Sequence, residues 1–266
     1  MFIDIHTHID QYEPAELPGL LERARAASVG CVVSAGTTLA SSRKCIELAR
    51  ANSSVVAGVG VHPQDLTGEL STEDLNGLDE LCHDRRVVAV SEVGLDFQPA
   101  SPDRAMQARA LRAQIDMARR HRLPVIFHMR ESIQETLALL RATRAGDLGG
   151  AAHYFQGSLR DALEVIDLGF MISLAKPLLR LPELQEVAAR LPASKIVLET
   201  DAYPQYFKSK RERWTEPKDV PLVASMLAEI RGVGLEEIEN VATANSLLMF
   251  GERSAVVRSA LESGAA

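Results

Sequence analysis

Met1-Phe2-Ile3-Asp4-Ile5-His6-Thr7-His8 is an apolar run that ends in two histidines one residue apart. In an extended chain successive side chains alternate faces, so His6 and His8 point the same way from the end of a strand. Two imidazoles so placed can hold one metal ion. Taken alone, a His-x-His pair suits a polar strand end equally well, so its meaning depends on whether other strands end in the same way.

They do. Short β-branched or apolar runs recur at Phe2–Ile5, Cys31–Ala35, Val55–Val61, Val87–Ser91, Pro124–Phe127, Ala151–His153, Phe170–Ser173 and Lys195–Glu199. Helical patterns alternate with them over Glu16–Ala27, Ala40–Arg50, Thr72–His83, Asp103–Arg120, Ser132–Thr143, Leu159–Leu168, Pro182–Arg190 and Pro221–Arg231. Ser158 followed by Asp161 is the capping signal expected at the start of one of them. Strands alternating with helices imply parallel pairing with right-handed crossovers, and strands that are almost wholly apolar imply cover on both faces. Eight such units fit an α/β fold, a single (β/α)8 TIM barrel spanning residues 1–266, better than an open doubly wound sheet. Leu235–Phe250 reads as a C-terminal extra helix, followed by a short frayed tail of small residues ending Ser263-Gly264-Ala265-Ala266.

The active site of such a barrel lies at the C-terminal ends of its strands. Those ends carry His6 and His8, then His62, Glu92, His128, His153, and the pair Glu199 and Asp201. Five of the seven histidines sort to this rim; His83 and His121 close helices, where a cation suits the dipole. Acids at the ends of apolar strands want a cation, because buried unpaired charge is costly. Glu199 and Asp201 share a face and compete for the strand-eight position, with Asp201 further out. The number of candidate ligands exceeds the three or so of one open catalytic zinc, so two divalent cations bridged by a carboxylate such as Glu92 are expected. Zinc, manganese and magnesium all remain open.

The remaining composition sets bounds. A formal charge of −7 argues against sequence-independent coating of duplex nucleic acid. Three cysteines without C-x-x-C spacing read as reduced thiols and point to a cytoplasmic setting. No apolar stretch is long enough to span a membrane, and the N-terminal residues lack the features of a secretory leader. The oligomeric state is not legible.

The chain resembles the TatD-type metal-dependent hydrolases, a branch of the amidohydrolase-like barrels that includes deoxyribonucleases. The likeness runs from Asp4-Ile5-His6-Thr7-His8 through Gly60-Val61-His62-Pro63, Ser91-Glu92-Val93-Gly94-Leu95-Asp96, Pro124 to Glu131, His153-Tyr154-Phe155-Gln156-Gly157-Ser158, Glu199-Thr200-Asp201-Ala202 and Glu216-Pro217 to Thr243-Ala244-Asn245. The resemblance implies a two-metal site with ligands on His6, His8, Glu92, His128, His153 and Asp201, and phosphodiester hydrolysis, typically exonucleolytic trimming of DNA. Relatives that cut amides or lactones often bridge with a carbamylated lysine, where this chain has Glu92. An amide, lactone or small phosphoester hydrolase is the alternative enzyme, and a non-catalytic binding or assembly subunit is the alternative without catalysis. The chain departs from the family pattern at Phe97-Gln98-Pro99, Ala202-Tyr203-Pro204 and Trp214-Thr215, all in loops of the expected mouth.

On this reading His6 and His8 bind one ion beside Asp201, His128 and His153 bind the second, and Glu92 bridges. Asp201, with Glu92, is the candidate catalytic acid, serving as base toward water. Arg130 is the candidate phosphate clamp and His62 a substrate contact or support. The loop from Tyr203 to Trp214 interleaves aromatics with cations, and Tyr203 and Trp214 are candidate contacts to a single-stranded DNA end.

Overall fold

The computed structural model describes residues 1–265. Eight parallel strands pair in chain order: β1 (Phe2–Thr7), β2 (Val29–Ala35), β3 (Val55–Val59), β4 (Val87–Asp96), β5 (Val125–Arg130), β6 (Gly150–Ala152), β7 (Met171–Leu174) and β8 (Ile196–Leu198). The ring closes just beyond β8, where Thr7 bridges Ala202 and the Asp201 amide donates to the His6 carbonyl. Between the strands run α1 (Leu17–Ala26), α2 (Leu39–Ala51), α3 (Thr72–Leu81), α4 (Arg104–His121), α5 (Ile133–Ala142), α6 (Leu159–Asp167), α7 (Pro182–Arg190) and α8 (Val220–Arg231). The architecture is the expected (β/α)8 barrel. Ser158 caps α6 by accepting the Asp161 amide, while Asp161 accepts from Ser158 in return.

Apolar side chains form two layers. Outward-facing strand residues such as Val32, Val90, Val93 and Phe127 pack against the helices. Inward-facing Ile3, Ile5, Val33, Val56, Val88 and Ile126 fill the barrel interior.

The C-terminal region differs from expectation. Instead of one extra helix there are two, α9 (Leu235–Met249) and α10 (Ser254–Ala265). The segment expected to fray is helical through Ala265, and Ala266 lies outside the described residues. The physical reason is packing: Met249, Phe250, Val257 and Ala260 join the interior cluster and plug the end of the barrel where the strands begin. A side chain on Gly264 would collide with the backbone of Gly30, so a small residue lets α10 lie directly on β2.

Two irregularities position the site. In the β1–β2 pairing Asp4 stands opposite Val32 and Thr7 opposite Ser34, three steps against two. In β4–β5, Val90 faces Val125 and Val93 faces Phe127, again three against two. An extra residue reverses the alternation of a strand. Hence Ile5 and His6 both serve the interior, and Glu92 turns inward between two outward valines. The strand β4 also runs to Asp96 rather than ending near Ser91, so Glu92 sits within it.

Gly94, beside Glu92, pairs with His128 at a positive φ of 153°. A Cβ there would lie 2.0 Å from the His128 carbonyl oxygen. Gly94→Ala is therefore expected to destabilise the fold by more than about 1 kcal/mol, read as a lower midpoint of urea unfolding, and an unchanged midpoint would contradict the close approach.

Candidate metal centre

Glu92 is the hub of the barrel mouth. It is 4% exposed and five imidazoles surround its carboxylate. On Oε2 lie His6 Nε2 at 3.4 Å and His8 Nε2 at 3.2 Å. On Oε1 lie His128 Nδ1 at 3.0 Å, His62 Nε2 at 3.4 Å and His153 Nε2 at 3.4 Å. Asp201 completes the ring, with Oδ1 3.4 Å from His8 Nε2.

The far nitrogens of four of these imidazoles are engaged elsewhere. His8 Nδ1 lies 3.0 Å from the Ala35 carbonyl oxygen, and His6 Nδ1 lies 3.3 Å from Ser91 Oγ. His128 Nε2 meets Asp96 Oδ2 at 2.9 Å, and His153 Nδ1 meets Glu199 Oε1 at 2.8 Å. The rings of His6, His8 and His128 are thus gripped at one nitrogen while the other converges on Glu92, and His153 Nδ1 faces Glu199 as a close ion-pair contact without a hydrogen bond. Carboxylates behind histidines orient the rings and raise their basicity toward a cation.

Asp96 and Glu199 were not expected in this supporting role. Asp96 is itself held by Ser101 Oγ and the Gln98 amide, and Glu199 accepts from Ser173 Oγ and the Tyr154 amide. Their available signal was the position of an acid at the end of an apolar strand next to a histidine-bearing strand. The geometry separates the two strand-eight acids: Glu199 backs His153, while Asp201 faces the mouth. Below them the buried Asp4 accepts the Thr200 amide and lies 2.5 Å from Thr200 Oγ1, tying β1 to the chain after β8.

The electrostatics follow from this crowding. Burial works to raise Glu92, but His62, His153, His128 and His6 outweigh it and hold its carboxyl well below the usual range. Burial likewise opposes ionisation of Asp201, yet the hydrogen bond from His8 and the charges of His153 and His6 bring it to about 2. His153 resists burial because Glu199 and Glu92 push it up to about 9. Burial and the adjacent His153 lower His6.

The donor set fits cations. The buried His6 Nε2 has no hydrogen-bond partner although it points at a carboxylate. Overlapping triads bring one donor atom from each member within 4.8 Å of the others: His6, His8 and Glu92; His62, Glu92 and His128; His6, His153 and Asp201. Buried imidazoles crowded on one carboxylate would repel one another if all were charged, whereas neutral imidazoles around a cation satisfy every lone pair.

The other expected contacts divide. His62 stands among the converging imidazoles, with Nδ1 accepting the Gln64 amide. Arg130 is about half exposed, 3.7 Å from Asp96 Oδ2, and borders a cleft of about 320 Å³ that also opens on His128 and His153. Tyr203 is half-buried. Trp214 departs from expectation: it is 7% exposed, wedged between Tyr12 and Tyr206 under the Arg211 guanidinium, and offers no open face. The exposed aromatics of that loop are Tyr206 at 71% and Phe207 at 73%, a distinction between core and surface that a loop composition does not carry.

Comparison with known proteins places this geometry. The sequence profile described as TatD related DNase matches residues 3–251. The chain is 30% identical over 257 residues to an uncharacterized metal-dependent hydrolase, YabD, of Bacillus subtilis, covering 94% of this chain and 99% of the relative. It is 31% identical over 239 residues to the 3'-5' ssDNA/RNA exonuclease TatD of Klebsiella pneumoniae, covering 87% and 90%. The crystal structure of YjjV, a TatD homolog from Escherichia coli, superposes with a TM-score of 0.85 at 29% identity, covering 94% of this chain and 97% of that one.

The burial contrast in the mouth loop is directly measurable. Trp214→Ala is expected to cost about 3–5 kcal/mol of stability. Tyr206→Ala should stay within about 0.5 kcal/mol of wild type. Equal effects in urea unfolding would contradict the placement of Trp214.

Proposed function

The chain belongs to the TatD-related DNase family of metal-dependent hydrolases, and from that premise we propose that it is a two-metal phosphodiesterase that trims DNA at single-stranded ends. The observation that carries the reading is the convergence of five imidazole nitrogens on the buried Glu92 carboxylate. His6 and His8 with Asp201 would hold one divalent ion, His128 and His153 the other, and Glu92 would stand between them. An imidazole-rich set favours zinc over magnesium. Cations held there would make water acidic enough to attack near neutral pH and would polarise a phosphoryl oxygen.

The chain's own residues supply the rest. Asp201 is ionised at neutral pH and, at 20% side-chain exposure, reaches further into solvent than Glu92 at 5%, which suits it to accept the proton of an attacking water. Arg130 is the half-free guanidinium beside the cleft and is placed to grip a phosphate. His62 steadies the mouth against the substrate. Tyr206 and Phe207 offer two faces for unpaired bases, with the exposed Lys210 and Arg213 near them for the backbone. The long, exposed aromatic loop favours a flexible strand over a small amide or lactone. Among the described residues no helix is long and apolar enough to cross a membrane.

Glu92→Ala is expected to reduce bound divalent metal and to lower hydrolysis of end-labelled single strands by at least about a hundredfold, whereas Tyr206→Ala should weaken strand binding by about 1–3 kcal/mol with metal content intact. A Glu92→Ala protein that keeps wild-type metal and activity would overturn the reading, as would a wild type that hydrolyses amides or lactones and no nucleic acid.

Imidazoles must be neutral to ligate a cation. His153, held protonated up to about 9, and His8 and His128, which their acid neighbours also raise against burial, must therefore lose protons on loading. Loading at pH 7 should release protons, and apparent metal affinity should climb with pH toward about 9. Titration calorimetry in buffers of differing ionisation heat would show this, and metal binding with no proton release would contradict it.

A further inference from the structure

His83 and His121 lie outside the mouth, at the opposite end of the barrel, and both have a place in a second cluster. Asp79 is in the last turn of α3, His83 follows one helical turn later, and His121 is the last residue of α4. The two imidazoles stand edge to face with centroids 4.7 Å apart. One donor atom from each of the three residues lies within 4.8 Å of the others. His121 Nε2 is 3.1 Å from Asp79 Oδ1.

That contact is not a made hydrogen bond. The His121 side chain is nine-tenths buried, and its Nε2 has no hydrogen-bond partner. Asp79 Oδ1 already takes both Nε and Nη2 of Arg120, at 3.0 and 2.6 Å, and no hydrogen bond from the described residues reaches Oδ2. A buried nitrogen aimed at an acid without bonding to it needs another partner. The 3.1 Å between His121 Nε2 and the Asp79 carboxylate is close to the spacing of zinc ligands, which with bonds of about 2.0–2.1 Å stand about 3.3 Å apart in a tetrahedral site.

We propose that Asp79, His83 and His121 form a separate divalent-metal site that takes zinc or a similar imidazole-seeking ion and clips the end of α3 to the end of α4. Two imidazoles and one carboxylate suit zinc, and the exposed His83 leaves a side of the ion open to water. The ion brings His121 Nε2 its missing partner. Arg120 stays on Oδ1 and keeps the carboxylate ionised, while Oδ2 turns to the metal. The site is independent of hydrolysis at the mouth, because neither α3 nor the end of α4 carries a residue of that cluster.

The test is equilibrium dialysis of the whole protein against Zn²⁺ with elemental analysis, on wild type, His83→Ala and Asp79→Asn. Both variants are expected to bind one equivalent less than wild type at micromolar Zn²⁺, with hydrolysis within about twofold. In a Glu92→Ala background one equivalent should remain and vanish when His83→Ala is added. Zn²⁺ should raise the melting temperature of the Glu92→Ala protein and not that of the double variant. The same number of equivalents in wild type and both variants would overturn the proposal and leave an ion pair with Arg120 only. Loss of an equivalent from Asp79→Asn with none lost from His83→Ala would also overturn it, since the site needs both.

Discussion

A carboxylate with almost no access to water, ringed by five imidazoles, is the constraint on which this barrel depends. An isolated carboxylate so deeply buried would cost several kcal/mol. Glu92 is tolerated because positive charge is always within reach, whether carried by the surrounding histidines or by cations they hold. The same crowding makes the histidines depend on Glu92. His6 Nε2, buried and without a hydrogen bond, lies 3.4 Å from the Glu92 carboxylate.

The fold supplies this arrangement through irregularity. Regular alternation along β1 would send Ile5 and His6 to opposite faces, and only the extra residue between Asp4 and Thr7 lets the apolar interior and the mouth share adjacent positions. The corresponding slip in β4 sets Glu92 against β5, where Gly94 allows the backbones to close up. Behind the rings, Asp96 and Glu199 extend the network one shell outward, each anchored in turn by hydroxyls and amides. At the other end of the barrel the interior is sealed by α9 and α10, so the cavity opens on one side only.

Much of this was legible in the residues. Eight apolar runs between amphipathic stretches, six of them ending in histidine or acid, specify both a barrel and the face that carries its chemistry. What escaped depends on pairing between strands and helices. The bulge in β1 is a relation between Asp4–Thr7 and Val32–Ser34, and nothing in β1 alone announces it. Glu199 and Asp201 share a face by spacing, and only the contacts of Glu199 with His153 and of Asp201 with His8 separate their roles. Trp214 looks like a platform in a loop rich in cations, yet Tyr12, distant in the chain, claims its face. The tail looked frayed because small residues bury little surface, but on α10 smallness is what admits close contact with β2. His83 and His121 suited helix ends one by one, and their proximity depends on α3 packing beside α4.

The central claim is that the ring of imidazoles exists to surround cations. Anomalous diffraction from crystals grown with zinc or manganese tests it most directly. The account predicts two strong scatterers at the mouth, each within coordination distance of Glu92, one also touching His6 and His8 and the other His128 and His153. Crystals soaked in the metal that show no anomalous density beside Glu92, with the five imidazoles unmoved, would contradict it.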